Sequence, residues 1–162
     1  MDVHLRRAGP DDADEIHRLI VALATYEREP EAVVVTAAEL REQMSAARPP
    51  FECLVVDAGA GRLAGFALYF HNYSTWRGRP GLYLEDLFVE PAQRGRGIGE
   101  ALLRAVANVA FERGCARLQW CVLDWNAGAI RFYERLGARV RPDWRVCQVE
   151  GHAAIGRVAG RA

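Results

Sequence analysis

Apolar residues recur along this chain with two different periods, and the switches between them mark out its elements. Residues 3–7 alternate as a short strand. Asp11 or Asp12 can then cap a helix, with Ile16, Leu19, Ile20 and Leu23 on one face as far as about Ala24. Thr36-Ala37-Ala38-Glu39 is a capping box, in which threonine and glutamate satisfy free backbone donors reciprocally, and it opens a second helix to about Ser45. Pro49-Pro50 ends that region. Residues 51–56 and 63–70 are apolar runs of strand length joined by Gly59-Ala60-Gly61, the pattern of an antiparallel hairpin. A strand at 82–89 leads through a glycine-rich loop into a helix from Glu100 to Arg113. Leu102, Val106, Val109 and Ala110 share that helix's inner face, and Gly114 closes it. Residues 117–123 form another strand, Asn126 caps a helix ending at Gly137, and 145–150 form a final strand. A short strand at Arg139-Val140 is compatible with the pattern, and the tail from Gly156 to Ala162 is expected to be loosely held.

Strands and helices alternate only in the second half, so a mixed α/β sheet is expected. The 162 residues suit one domain, 1–162, with a single sizeable core. Hydrophobic residues make up 51% and charged residues 26%, an ordinary globular balance. The 21 basic residues, all arginine, equal the 21 acids, which argues against a general nucleic-acid binder. Cys53, Cys115, Cys121 and Cys147 form no C-x-x-C pair and read as buried reduced thiols. His4, His17, His71 and His152 show no ligand spacing, so no metal is expected. No apolar run approaches the length of a membrane span, and a cytoplasmic location is the expectation.

The chemistry concentrates after the 82–89 strand, at Arg94-Gly95-Arg96-Gly97-Ile98-Gly99. Alternate glycines let a backbone turn tightly and approach a ligand closely. The helix that follows offers free N–H groups and the positive end of its dipole. Arg94 and Arg96 add charge, so the segment reads as a phosphate or pyrophosphate cradle. G-x-G-x-G is not the dinucleotide fingerprint, and a P-loop needs a lysine that this chain lacks. The strand itself carries two adjacent acids, Glu85 and Asp86. Strict alternation puts Leu82, Leu84, Asp86 and Phe88 on one face and Tyr83, Glu85, Leu87 and Val89 on the other, unless a bulge intervenes.

This loop, with Tyr26-Glu27, Tyr83-Leu84-Glu85-Asp86, Trp125-Asn126, Phe132-Tyr133, Leu136-Gly137-Ala138 and Trp144-Arg145, resembles the GNAT superfamily of N-acetyltransferases. Within it the likeness is greatest to the diamine acetyltransferases of the spermidine/spermine and thialysine type, over residues 3–150. The resemblance implies a mixed, mostly antiparallel sheet splayed between two central strands, with helices on both faces. It implies transfer of an acetyl group from acetyl-CoA to a small primary amine by direct attack, and a homodimer. It implies that Arg94, Gly95, Arg96, Gly97, Ile98, Gly99 and Glu100 hold the coenzyme pyrophosphate. The main chain of Leu87, Phe88 and Val89 would bind the pantetheine arm, with Asn126, Ala129 and Tyr133 also on the coenzyme.

Two residues are expected to carry the reaction. An alkylammonium keeps its proton to about pH 10, and a carboxylate can bind it and accept that proton. The resemblance gives this role to Glu85 and leaves Asp86 open to a structural one. Tyr133 is expected to protonate the departing thiolate, a packed tyrosine being the plainer alternative. Asn126 is explained by helix capping alone as readily as by coenzyme contact. Tyr26, Glu27, Gln119, Trp120 and Cys121 match acceptor-side positions, and Trp76 could supply an aromatic wall for alkyl or ammonium groups, although Glu27, Glu29 and Glu31 also suit a solvated loop. One departure stands out. Where polyamine enzymes carry acids after Leu136-Gly137-Ala138, this chain has Arg139-Val140-Arg141-Pro142 with only Asp143 before Trp144. Long polyamines therefore fit less well than a short diamine or an amino acid whose carboxylate could meet arginine. The competing readings are an acetyltransferase of a protein, aminoglycoside or xenobiotic amine, and a non-catalytic acyl-CoA-binding module.

Overall fold

The structure, a computed structural model, describes residues 4–161. Val3, at the start of the first expected strand, and Ala162 lie outside the described residues. The chain divides into two compact units, one ending at Cys121 and one beginning at Val122.

The first unit is built on a five-stranded sheet in chain order: β1 (Leu5–Arg7), β2 (Glu52–Gly59), β3 (Arg62–Ser74), β4 (Arg79–Val89) and β5 (Leu118–Gln119). Neighbours from β1 to β4 are antiparallel, and β4 with β5 is parallel. Three helices join it: α1 (Ala13–Tyr26), α2 (Ala37–Ser45) and α3 (Ile98–Glu112). Both faces of β2 are covered, since Cys53 and Val55 are as buried as Leu54 and Val56. Cys53 and Val55 join Ile16 and Leu19 of α1 and Leu40 of α2 in one core. On α3, Leu102, Leu103, Val106 and Ala110 are buried, and the helix packs on β2, β3 and β4. The capping box of α2 forms as expected: Thr36 Oγ1 accepts from Glu39 N at 3.2 Å, and Thr36 N donates to Glu39 Oε2 at 2.8 Å.

Two features of β4 depart from simple alternation. Tyr69 pairs with Leu84 while the preceding Leu68 pairs with Asp86, so Glu85 is an extra residue, a β-bulge. The bulge overturns the shared face of Leu82, Leu84, Asp86 and Phe88. Asp86 lies opposite Leu68 and Phe88 opposite Phe66, all but Asp86 being members of the α1-side core. Leu84 lies opposite Tyr69, on the other face.

The second feature is the splay. The parallel pairing of β4 with β5 covers only Leu82–Leu118 and Tyr83–Gln119. The expected 117–123 strand thus shrinks to two residues. Gly81 permits this close start: a Cβ there would stand 2.5 Å from Asn72 Oδ1 and 3.0 Å from the Arg117 carbonyl oxygen. From Leu84 onward β4 has no strand partner on its β5 side among the described residues.

The second unit holds α4 (Ala127–Arg135) and α5 (His152–Val158). Asn126 caps α4, its Oδ1 accepting from Ala129 N at 3.2 Å. Residues 139–150 form no strand, against the expectations at Arg139-Val140 and at 145–150. A strand needs an edge to pair with, and this unit contains none among the described residues. Trp144 and Val146 are accordingly exposed within it. Of the tail expected to be loose, residues 156–158 instead end α5, and beyond it Arg161 N donates to Gly156 O at 2.8 Å.

Candidate active site

The glycine loop follows β4 through a single 3-10 turn, Pro91–Gln93. Gly95 and Gly97 both have φ of +77°, where a side chain is strained, and a Cβ on either would meet nothing within 4 Å. Gly97 is the N-cap of α3 and has no side chain to cap it. The first N–H groups of α3 are therefore left to solvent or to an anion. Arg96 donates to Gln93 Oε1 at 2.8 Å. Arg94 is more constrained. Its Nε donates to the Val89 carbonyl at 3.0 Å, and its guanidinium lies 4.9 Å from the Tyr26 ring and 5.7 Å from the Phe88 ring. Ile98 and Phe88 are buried, so any ligand contact from them is a main-chain one. Gly99 is half-buried, and Glu100 pairs with Arg104 at 2.9 Å. Leu87 and Val89 are half-buried on the open stretch of β4. An open, uncapped glycine turn at a helix start beside an unpaired strand edge fits the pyrophosphate and pantetheine of coenzyme A.

Close to this loop, three acids come together. Glu27 is the C-cap of α1, and Glu85 and Asp86 form the bulge of β4. Two bulge residues facing one partner re-aim a side chain that alternation would send away. Every other half-buried carboxylate among the described residues pairs with an arginine: Asp12 and Asp57 with Arg6, Glu15 and Glu90 with Arg18, Glu52 with Arg113, Glu100 with Arg104. Glu27 and Asp86 do not, and neither does the exposed Glu85. Burial pushes the Asp86 carboxyl up to about 7, helped by the charges of Glu85 and Glu27. Burial also raises Glu27. An uncompensated group of acids at this depth is an electrostatic demand for a cation.

The remaining acceptor-side residues are distributed unevenly. Tyr83, which the sequence reading did not single out as a contact, donates its hydroxyl to Cys121 Sγ at 3.2 Å. Burial, the thiol and Glu85 raise its hydroxyl above the usual range. Its ring is 5.4 Å from Phe70. Cys121 thus joins β4 close to Glu85, while Gln119 is exposed on β5 and Trp120 is half-buried just after it. Trp76 is not brought to the acids. It is 87% exposed at the tip of the β3–β4 hairpin. The run from Arg79 to Glu85 alone spans about 20 Å at ~3.3 Å per residue. Tyr26 reaches the loop through Arg94.

In the second unit, Ala129, Phe132 and Tyr133 are half-buried on α4, with the two rings 5.2 Å apart. Arg141 bonds Asp143 at 3.2 Å and lies 5.7 Å from the Trp144 ring, so its charge is already answered locally. The four cysteines are free, but only Cys53 is buried; Cys115 is half-buried, and Cys121 and Cys147 are exposed, which corrects the uniform reading. Among the described residues no three His, Cys, Asp or Glu side chains are grouped to hold a metal, and no helix is long and apolar enough to cross a membrane.

Comparison with known proteins agrees with this geometry. The profile of the acetyltransferase (GNAT) family matches residues 14–138, most of the chain and parts of both units. A thialysine N-epsilon-acetyltransferase of Bos taurus is 38% identical over 161 residues, covering 93% of this chain and 94% of its own. An L-ornithine N5-acetyltransferase of Arabidopsis thaliana is 31% identical, over 92% of this chain and 85% of its own. Among solved structures, an integron cassette protein of V. cholerae matches with a TM-score of 0.78, over 98% of both chains at 23% identity, a likeness of fold.

Proposed function

The chain belongs to the acetyltransferase (GNAT) family and is an acetyl-transferring enzyme, and we propose that its acceptor is the primary amine of a small cationic molecule. The observation that carries this reading is the unpaired set Glu27, Glu85 and Asp86. In a chain that matches its other half-buried acids with arginine, three acids without a cation suit a substrate that brings one. The names of the two relatives add support, since thialysine and L-ornithine are both small amino acids bearing a side-chain amine. The family match runs across the boundary at Val122, which supports reading residues 1–162 as one catalytic domain.

Acetyl-CoA, the donor of this family, supplies an acetyl group activated as a thioester. In our reading the main-chain N–H groups from Gly95 to Gly99 hold its pyrophosphate, and Arg96 adds charge at the rim. The open edge of β4 at Leu87, Phe88 and Val89 offers backbone partners for the pantetheine; Asn126 and Ala129 are assigned to the coenzyme by the family resemblance alone. Glu85 and Glu27 hold the acceptor ammonium, with Tyr26, Gln119, Trp120 and Cys121 around them and Trp76 contributing only from a distance. Tyr133 gives its hydroxyl proton to the departing sulfur. The exposed Trp144 and Val146 suit a homodimer, and light scattering would show about twice 18.0 kDa.

Turnover of acetyl-CoA against diamines, spermidine, spermine, thialysine, lysine, ornithine and aminoglycosides tests the acceptor. Short diamines or amino acids with a side-chain amine should lead. Preference for spermine would remove the argument for short acceptors but leave the acetyltransferase assignment. Preference for an aminoglycoside would overturn the small-amine reading.

A further inference from the structure

We propose that Asp86, rather than its neighbour Glu85, takes the proton from the acceptor ammonium, while Glu85 and Glu27 hold the cation. The inference rests on the amine reading above and concerns how labour is divided within the same acid group.

The geometry separates the two carboxylates. Glu85 is exposed and is the extra residue of the bulge, with no ladder partner. Asp86 is in register with Leu68, is half-buried, and makes no hydrogen bond or ion pair among the described residues. An exposed carboxylate alone attracts a cation only modestly, and Glu85 does so here together with Glu27. A desolvated one, surrounded by like charge and given no donor, is a stronger base.

The surroundings of Asp86 can be followed element by element. From its own strand, Glu85 raises it, and from the end of α1, Glu27 does the same. From β2 it meets the Cys53 thiol, itself held neutral by burial. From β3 it meets apolar Leu68. Arg94, whose guanidinium lies 4.9 Å from the ring of Tyr26 next to Glu27, is spent on the Tyr26 and Phe88 rings and the Val89 carbonyl. Nothing therefore lowers Asp86, and it titrates at about 7. Removing a proton from an alkylammonium of pKa about 10 is uphill by about six units for an ordinary glutamate but about three for such a base. That difference is about 10³-fold in proton affinity, all in the direction that frees the amine.

The step balances simply. One N–H bond of the ammonium breaks, its electron pair stays on nitrogen as the nucleophile, and the proton moves to an Asp86 carboxylate oxygen. Asp86 then returns the proton to water before the next turnover. Binding the cation between Glu27 and Glu85 partly cancels the charges that raise Asp86; once the proton has moved and the amine is neutral, those charges again favour protonated Asp86, which holds the proton while the amine attacks.

The test is the pH dependence of acetylation by the whole chain, with a short diamine as acceptor. In the wild type, kcat/KM for the amine should rise with pH along a limb centred near neutrality. Asp86→Asn should lower kcat by about 10²–10⁴-fold and abolish that limb. Glu85→Gln should keep most of the turnover, raise the amine KM, and move the limb to lower pH, because one charge that raises Asp86 is gone. Asp86→Glu, which keeps a carboxylate, should restore part of the rate and of the limb. Carboxyl-carbon NMR of Asp86 in the free protein should show the same displacement on Glu85→Gln. Amine acetylation with wild-type kcat and an unchanged limb in Asp86→Asn would overturn the proposal alone, as would loss of the limb in Glu85→Gln. A wild type that acetylates no amine would overturn the amine reading and the proposal together.

Discussion

Replacing Asp86 by asparagine should make the protein more stable while making it a poorer enzyme. Folding raises this carboxyl from its ordinary 3.8 to about 7. The folded chain therefore holds the proton more tightly than the unfolded chain, and the wild type loses stability as pH climbs through that interval. Below the unfolded value both states are protonated and the penalty vanishes; above about 7 it is complete and level. A shift of about three units at ~1.4 kcal/mol each sets a ceiling of about 4 kcal/mol. Because the residue keeps a little exposure, water relaxes part of the charged form, and we expect about 1–3 kcal/mol. Asparagine is isosteric and uncharged, so it removes the term without opening a cavity.

The assay is urea or thermal unfolding of wild type and Asp86→Asn side by side at about pH 4.5 and about pH 8. Comparison at equal pH cancels every other titrating group. The variant's advantage should be small at the lower pH and full at the higher, where it should appear as about 2–4 °C in Tm per kcal/mol for a chain of this size. Glu27→Gln should recover a smaller part in the same direction, since it removes one of the charges acting on Asp86. A variant destabilised at both pH values, or stabilised equally at both, would show that the Asp86 charge is not what strains this site.

Other consequences are checked more briefly. Gly97→Val should raise the KM for acetyl-CoA at least about tenfold, because the position has φ of +77° and because a side chain would block backbone approach; isothermal titration with coenzyme A, alongside circular dichroism to confirm folding, decides it. Tyr133→Phe should reduce kcat by about 10²–10⁴-fold and leave coenzyme affinity nearly intact, and wild-type turnover would leave this tyrosine with a packing role. Arg94→Ala should raise the KM for both substrates, since the guanidinium links the loop to Tyr26 beside Glu27; Arg94→Lys, which keeps charge but loses the planar stack, should repair the donor KM more than the acceptor KM.

What the sequence could announce depended on how local the signal was. The capping box at Thr36, the Asn126 cap and the glycine start of α3 are contained within a few residues, and each forms where expected. Strands are another matter, because their hydrogen bonds belong to a neighbour. Residues 117–123 have strand composition, yet only Leu118 and Gln119 find β4, and the alternating run at Trp144 finds no edge in its own unit. The acceptor acids show the same division. Glu27 and Glu85 could be singled out from the motif around them, but the place of Asp86 could not. Alternation sends it away from Glu85, and only the pairing of β3 with β4 discloses the extra residue.

That extra residue links fold to function through one displacement of register. Without the bulge, Leu82, Leu84, Asp86 and Phe88 would all share one face. With it, Leu84 turns to the side of Tyr69 and Phe88 to the side of Phe66, and each face keeps its apolar complement. The carboxyl groups of Glu85 and Asp86 are left at the crossover, beside Glu27, at the level where β5 has already parted from β4. The two irregularities of the sheet thus coincide. The splay exposes backbone for a donor, and the bulge sets two acids beside the same opening. A sheet selected only for stability would pair that edge and neutralise those acids, as the chain does with Glu52 and Arg113 two strands away. Leaving both undone costs folding free energy, and functional sites are where such costs persist. Asp86→Asn separates the two demands, because it should return the stability and forfeit the chemistry in a single isosteric change.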